Sequence, residues 1–151
     1  MQYITITDYL LLPLVLFLVF LVAAYYRNKY YPKKHPLRSM FMWGLSLKIF
    51  GALFVGMIYH YYYPGGDTFN FWDHSVIINS SLQESFGTWF RIITGIADPY
   101  DIDVFPYTAK MLWYTSPADY VVPAIGAFLG IFTLTTYLPT AVLFGALALK
   151  Q

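Results

Sequence analysis

Two long apolar segments dominate the first half of the chain. Residues 9–26 contain no charged side chain, and residues 40–63 contain one, Lys48. An α-helix rises about 1.5 Å per residue, so the eighteen residues of the first segment span about 27 Å, close to the thickness of a bilayer's hydrocarbon core. The Lys48 stem can extend toward the polar end of its helix, so its charge does not exclude a membrane span. The pattern predicts membrane helices over both segments, with Thr7 or Asp8 capping the first.

A third segment, residues 68–94, has the mixed pattern of an amphipathic helix. Apolar side chains recur at spacings of three and four, while serine, glutamine, glutamate and threonine largely fill the other side. The apolar stripe consists of Ile78, Leu82, Phe86, Trp89 and Ile93. A helix of this kind, rich in aromatic residues and placed between membrane segments, is typical of the membrane interface. Packing against another part of a larger protein is the alternative interpretation.

The last part of the chain, residues 120–149, is again apolar, and its organisation is ambiguous. It comes after SPAD, residues 116–119, which predicts a helix start with serine as N-cap, proline at the first helical position and aspartate near the positive helix end. The segment then forms either one long kinked span, or a short helix to Phe132, a break at TLTTY and a new span opening near Pro139. On the second interpretation we expect the chain to be the N-terminal part of a longer protein, because about 13 residues are too few to cross.

Composition agrees with a membrane protein. Hydrophobic residues make up 58% of the chain and charged residues 11%, whereas soluble domains carry about 25% charged residues. Nine basic residues are too few for a nucleic-acid-binding surface, and the absence of cysteine excludes disulfides and thiolate metal sites. We therefore predict an all-α integral membrane protein with about three to four membrane-embedded helices and an external amphipathic interfacial helix.

Charge is unevenly distributed on the two sides of the second span. Six basic residues and no acidic one lie from Arg27 to Lys48, whereas residues 64–119 hold seven of the eight acidic residues and two basic ones. Basic loops remain cytoplasmic in membrane proteins. We therefore predict a cytoplasmic loop over 27–39 and a periplasmic or external position for residues 64–119, in a multi-pass protein of the bacterial inner membrane.

The second span also carries small residues on one helical face. These are Gly44, Gly51, Ala52 and Gly56. Small residues allow the backbone of another helix to approach closely, so this face is a candidate surface for a partner helix. Glycine is, however, common in membrane helices in general.

Candidate chemistry is concentrated where the second span ends, in YYYPGGDTFNFWDH, residues 61–74. Asp67 comes after a Pro-Gly-Gly turn and suits the N-cap of a helix that begins at Thr68. It suits equally well a general base at the mouth of a span, where the headgroup of a lipid-linked substrate would lie. The three histidines of the chain are scattered and show no metal-ligand spacing.

A cluster of carboxylates, Asp98, Asp101 and Asp103, lies in the irregular segment 95–115. Alternating carboxylates can ligate a hard divalent cation such as Mg²⁺ or Mn²⁺. No glycine lies inside the cluster and it has no distal glutamate, so it is not an EF-hand loop. A solvated acidic loop is the alternative, and the three residues are weak metal candidates.

Lys48 and Gly51, together with the later IYHYYYPGGDTFNFW, resemble the N-terminal part of multi-pass bacterial membrane proteins related to the GT-C superfamily of glycosyltransferases. The segment that begins SPADYVVPAIGAF is similar to the segment after the first external loop in such proteins. Enzymes of this superfamily transfer a sugar from a polyprenyl-phosphate-linked donor on the external face. The resemblance covers roughly residues 45–148 and implies that Asp67 is the catalytic base of an inverting transfer in envelope glycan or glycolipid synthesis.

We expect the substrate to lie against the start of the helix that comes after this base. The candidate binding residues are Phe69, Asn70, Trp72, Asp73 and His74. The chain departs from the superfamily pattern because an additional span precedes the acidic loop, and because the full enzymes contain many more spans. Two alternatives share the same architecture, namely a polysaccharide polymerase or flippase, and a non-enzymatic subunit of a membrane complex.

Overall fold

The computed structural model describes residues 3–63 and 66–147, and the regular structure of these residues is entirely helical. The helices of the described residues are α1 (Ile6–Tyr30), α2 (Leu37–Tyr61), α3 (Asp67–Ser81), α4 (Phe86–Ile93), α5 (Phe105–Thr108), α6 (Pro117–Phe132) and α7 (Tyr137–Leu147). They divide into two compact units. The span unit, Met1–Pro64 with Thr136–Gln151, contains α1, α2 and α7, and the insert unit, Gly65–Thr135, contains α3 to α6.

Two helices of the described residues, α1 and α2, are long and apolar enough to cross a membrane. Each has 25 residues, which corresponds to about 37 Å of helix. A third crossing is possible by length and composition if α6 and α7 together form one broken span. The prediction of an all-helical chain with membrane-compatible helices is confirmed at this level, with two or three candidate spans. Both long helices begin earlier than predicted, and α1 ends later, at Tyr30.

Asp8 connects two helix N-termini within the span unit. Its Oδ2 atom accepts hydrogen bonds from the backbone N–H of Thr5 at 2.9 Å and from the Thr5 hydroxyl at 2.8 Å. Its Oδ1 atom accepts from the backbone N–H of Leu138 at 2.8 Å, in the first turn of α7, where such groups lack an intrahelical acceptor. The predicted cap at Thr7 or Asp8 is wrong, because Thr5 is the N-cap and Asp8 is the third helical residue of a capping box.

Helix α7 packs against both α1 and α2. Val142 is fully buried in a core with four other buried residues, Val15, Ala23, Leu45 and Ile49. Part of the predicted small-residue face of α2 takes part in this packing. A Cβ atom at Gly56 would lie 2.9 Å from the Tyr137 ring, and a Cβ atom at Gly145 would lie 3.5 Å from that of Ala52. A Cβ atom at Gly51 would meet no atom within 4 Å, so this position remains open to another helix.

The insert unit is organised by two polar side chains on α3 that bind backbone carbonyl groups of α6. The Ser75 hydroxyl donates to the carbonyl of Pro123 at 2.9 Å, and the Asn79 amide donates to the carbonyl of Ala127 at 2.9 Å. The two donors are four residues apart on α3, and the two acceptors are four residues apart on α6. The two hydrogen bonds are therefore separated by about one helical turn on both helices. Both side chains are buried.

The Asn79 amide group makes further bonds that extend this contact. Its Nδ2 atom also donates to the Thr135 hydroxyl at 3.1 Å, and its Oδ1 atom accepts from the indole N–H of the buried Trp89 at 3.1 Å. Gly130 leaves room for it, because a Cβ atom there would lie 2.8 Å from Nδ2. One side chain therefore binds α4, α6 and the segment after α6.

The single helix predicted over 68–94 is wrong. Helix α3 ends at Ser81, a turn comes next, and α4 begins at Phe86 with Ser85 as its N-cap, whose hydroxyl accepts from the backbone N–H of Thr88 at 3.4 Å. The Ser80 and Ser81 hydroxyls donate to backbone carbonyls of the preceding turn at 2.7 and 2.6 Å. Serine hydroxyls that bind the backbone in this way compete with helix continuation.

The predicted start and end of α6 are confirmed. Ser116 is its N-cap, Pro117 is its first residue, and the Ser116 hydroxyl donates to Asp119 at 2.7 Å. Helix α6 ends at Phe132, and two residues of the adjoining TLTTY segment have positive φ, so the predicted short helix and the break after it are present. By length and composition, α6 and α7 can still belong to one strongly bent span, so the alternative of a kinked span stays open. Pro64 and Gly65 of the predicted exit turn, and residues 148–151 at the end of the last apolar segment, lie outside the described residues.

We predict that Asn79→Ala destabilises the full-length protein. The substitution leaves the buried Trp89 N–H without its acceptor, and an unpaired buried donor costs about 1–3 kcal/mol. The free energy of unfolding in detergent, followed by circular dichroism, should fall by that amount. Ser80→Ala, which removes an exposed hydroxyl from the same helix, is the matched control. Equal stability of the two variants would contradict a structural role for the Asn79 amide.

Candidate functional site

Asp67 lies at the first position of α3 and its carboxylate is exposed. The N-cap is Gly66, whose φ of 130° is readily available only to glycine. The predicted role of Asp67 as N-cap of a helix beginning at Thr68 is therefore wrong, because the helix includes Asp67 itself. Among the described residues, the Asp67 carboxylate accepts no hydrogen bond, so it is available to an external hydroxyl group.

The neighbours of Asp67 on the surface of α3 are Asn70 and Phe71, three and four residues further along the helix. Both are partly exposed. The Phe71 ring lies 4.6 Å, centroid to centroid, from the partly exposed ring of Trp113. We call these four residues the Asp67 surface. It combines a free carboxylate, an amide that can donate and accept, and two aromatic rings.

The other predicted binding residues divide by burial. Phe69, Trp72 and His74 are buried, with 1%, 8% and 3% of their surface exposed. Asp73 is partly exposed and has an interaction of its own. The structure thus leaves Asn70 and Asp73 accessible from the predicted set, and it adds Trp113, which sequence reasoning missed. No local pattern in the sequence connects Trp113 with α3.

His74 supports Trp113 from below the surface. Its Nε2 atom accepts a hydrogen bond from the backbone N–H of Leu112 at 3.2 Å, so the ring is neutral with its proton on Nδ1. Its ring centroid lies 5.0 Å from that of Trp113, and among the described residues Nδ1 has no hydrogen-bond partner. Burial lowers the pKa of His74, and the nearby charge of Asp73 opposes that shift. A buried neutral imidazole of this kind holds the segment that carries Trp113.

Two of the three carboxylates proposed as weak metal ligands, Asp101 and Asp103, are paired with a cation from the chain. Arg91 donates to Asp103 at 2.7 Å and also to Asp101. The Asp98 carboxylate accepts from the backbone N–H of Tyr100 at 2.9 Å. No group of three or more histidine, aspartate or glutamate side chains among the described residues is arranged to hold a metal ion. A divalent cation would have to displace the Arg91 guanidinium from this loop.

No protein-family model, curated protein or solved structure matches the chain. The functional assignment therefore depends on the Asp67 surface and its surroundings. Within the insert unit, this surface is built by the first turns of α3 and by the segment after α5. It offers a carboxylate, a polar amide and apolar faces, and small-molecule sites combine groups of these kinds for orientation and specificity.

We predict that His74 makes stability depend on pH. Its folded-state pKa lies below its ordinary value of about 6.5, so the unfolded chain binds a proton more readily. The contribution of His74 to the free energy of unfolding is fully present above that pH. It decreases by at most about 1.4 kcal/mol per pH unit as the pH falls below it. Unfolding midpoints measured between pH 5 and 8, a range of about three units around the histidine pKa, should show this slope.

His74→Gln should remove the slope, because the glutamine amide oxygen keeps an acceptor for the Leu112 N–H without titrating. His60→Gln makes the same side-chain change in α2, outside the insert unit, and serves as the control that should retain the wild-type slope. An unchanged pH profile in His74→Gln would show that another group is responsible.

Proposed function

We propose that this chain belongs to a membrane-embedded glycosyltransferase in which Asp67 is the general base. The observation that carries the proposal is the exposed Asp67 carboxylate. Asp67 is not the N-cap of α3, and its carboxylate lies beside Asn70 and Phe71. A capping carboxylate would be held by backbone N–H groups and would be a weaker base. The free carboxylate supports the resemblance between GGDT with its aromatic surroundings and the GT-C superfamily.

In the proposed reaction, the oxygen of an acceptor hydroxyl group attacks the anomeric carbon of the donor sugar, and Asp67 accepts the proton of that hydroxyl group. The bond from this carbon to the phosphate oxygen breaks, and the polyprenyl phosphate leaves with the electron pair. Attack opposite the leaving group inverts the configuration. Asn70 would bind a sugar hydroxyl, and the rings of Phe71 and Trp113 would lie against an apolar face of the sugar or the lipid.

The proposed membrane placement is based on charge and on the two long helices. The connector between α1 and α2 is basic, and the insert unit holds all the acidic residues except Asp8. Basic segments remain on the cytoplasmic side, so the insert unit would face the periplasm or the exterior of a bacterial inner membrane. A donor carried by a polyprenyl lipid would be presented at that surface.

We predict that Asp67→Asn lowers sugar transfer by the purified full-length protein by about 100- to 10,000-fold, the usual contribution of a positioned base. Asparagine keeps the size of the side chain but cannot accept the proton. Turnover of a polyprenyl-phosphate sugar in lipid nanodiscs provides the measurement. Glu84→Gln makes the same charge change at another exposed position of the insert unit and should retain activity. Transfer at the wild-type rate by a folded Asp67→Asn protein would exclude Asp67 as the base.

A non-enzymatic subunit of a membrane complex is the second candidate. It is favoured by the burial of Phe69, Trp72 and His74, three of the five residues predicted to contact a substrate. On this proposal the aromatic residues of α3 stabilise the insert unit, and the open Gly51 position of α2 receives a partner helix. Stoichiometric co-purification with a partner would support the subunit over the enzyme if two conditions hold. Gly51→Leu must abolish the co-purification, and the protein must show no turnover of the donor.

A further inference from the structure

The connector between α1 and α2 brings two guanidinium groups to one neutral oxygen atom. Arg27 lies in the last turn of α1 and Arg38 in the first turn of α2. Arg38 donates to the side-chain oxygen of Asn28 at 2.6 Å, and Arg27 donates to the same oxygen at 3.4 Å. Arg38 also donates to the carbonyl of Tyr31. Two positive charges therefore converge within the short connector.

No acidic side chain of the described residues compensates these charges. Arg91, by contrast, is paired with Asp101 and Asp103 in the insert unit. The Nε atom of Arg27 is buried and has no hydrogen-bond partner among the described residues. Like charges that share one neutral acceptor repel each other, and a buried donor without an acceptor is unfavourable. An anion bound between the two guanidinium groups would relieve the repulsion between them.

The surroundings add positive potential. Lys29, Lys33 and Lys34 are exposed around the connector. The N-terminus of α2 has no acidic residue in its first turn, and the His35 side chain accepts from the backbone N–H of Leu37 at 3.2 Å. The paired guanidinium groups and the exposed lysines both favour an anion as the ligand.

The position of the connector selects a lipid as the source of that anion. It joins the ends of two apolar helices of 25 residues, so in a membrane it lies at the level of the headgroups. Exposed tyrosine rings at the end of α1, including the stacked pair Tyr26 and Tyr30, suit the same level. A free phosphate ion would use the charges alone, whereas a lipid would also contact these rings.

We propose that Arg27 and Arg38 form a binding site for the phosphate group of an anionic lipid headgroup. The two guanidinium groups donate hydrogen bonds to the phosphate oxygens, and the three lysines contribute long-range attraction. The site is separate from the Asp67 surface, and it does not depend on the proposed transfer activity.

The test uses full-length protein in detergent, titrated with phosphatidylglycerol while the thermal unfolding midpoint is measured. Phosphatidylglycerol should raise the midpoint, and phosphatidylcholine and inorganic phosphate should not. Arg27→Gln should weaken the apparent affinity for phosphatidylglycerol about tenfold or more, because it removes hydrogen bonds to a charged group. Lys33→Gln removes one positive charge outside the arginine pair and should weaken the apparent affinity for phosphatidylglycerol about fivefold at most.

Arg27→Gln is the more informative of the two arginine variants, because Arg38 also binds the Tyr31 carbonyl and its loss affects the connector itself. Arg38→Lys keeps the charge but not the planar fork, and should also weaken binding. Equal losses in Arg27→Gln and Lys33→Gln would overturn the site in favour of diffuse attraction. Stabilisation by inorganic phosphate as strong as that by phosphatidylglycerol would overturn the lipid as its ligand.

Discussion

The Asn79 amide is the interaction on which the insert unit depends most. It donates to the Ala127 carbonyl of α6 and accepts from the Trp89 indole of α4, so one side chain fixes three segments. Apolar packing is non-directional, and in a chain with so many apolar residues it does not determine how one helix is rotated against another. The bonds of Ser75 and Asn79 to α6 define that rotation, and thereby the face of α3 that carries Asp67.

Asp8 has the equivalent role in the span unit. It is almost fully buried, and its two carboxylate oxygens bind the N-terminal segments of α1 and α7. Both units therefore use the same physical solution, in which a few buried polar side chains satisfy backbone groups at helix ends or on helix faces. Such bonds are effective in membrane proteins because apolar contacts between helices compete with equally apolar lipid tails.

Local patterns predicted the long helices, the start of α6 and the break after it, because each depends on residues within a few positions. The break between α3 and α4 was missed because the apolar stripe from Ile78 to Ile93 keeps the helical period through the turn. The capping pattern at Ser85 is the local signal that could have revealed it. From the sequence, Asn79 was only a polar residue within the predicted helix 68–94, because its hydrogen-bond partners lie up to 56 residues away in the chain.

The candidate site was predictable in part for the same reason. Asp67, Asn70 and the aromatic character of α3 can be read from the local sequence. Which aromatic rings are accessible cannot, since burial of Phe69 and exposure of Trp113 depend on contacts between distant segments. The pairing of Arg91 with Asp101 and Asp103 also required the fold, although Arg91 is one of only two basic residues in the acidic segment.

The proposed function and the lipid site both require that α2 separates the basic connector from the acidic insert unit across a membrane. The chain itself contains no cysteine, so single cysteines introduced at positions 33 and 103 can serve as labelling sites, with the protein that lacks both as the background control. A membrane-impermeant maleimide applied to intact spheroplasts should label position 103 at once and position 33 only after permeabilisation. Labelling of both positions from the same side of the membrane would contradict this topology.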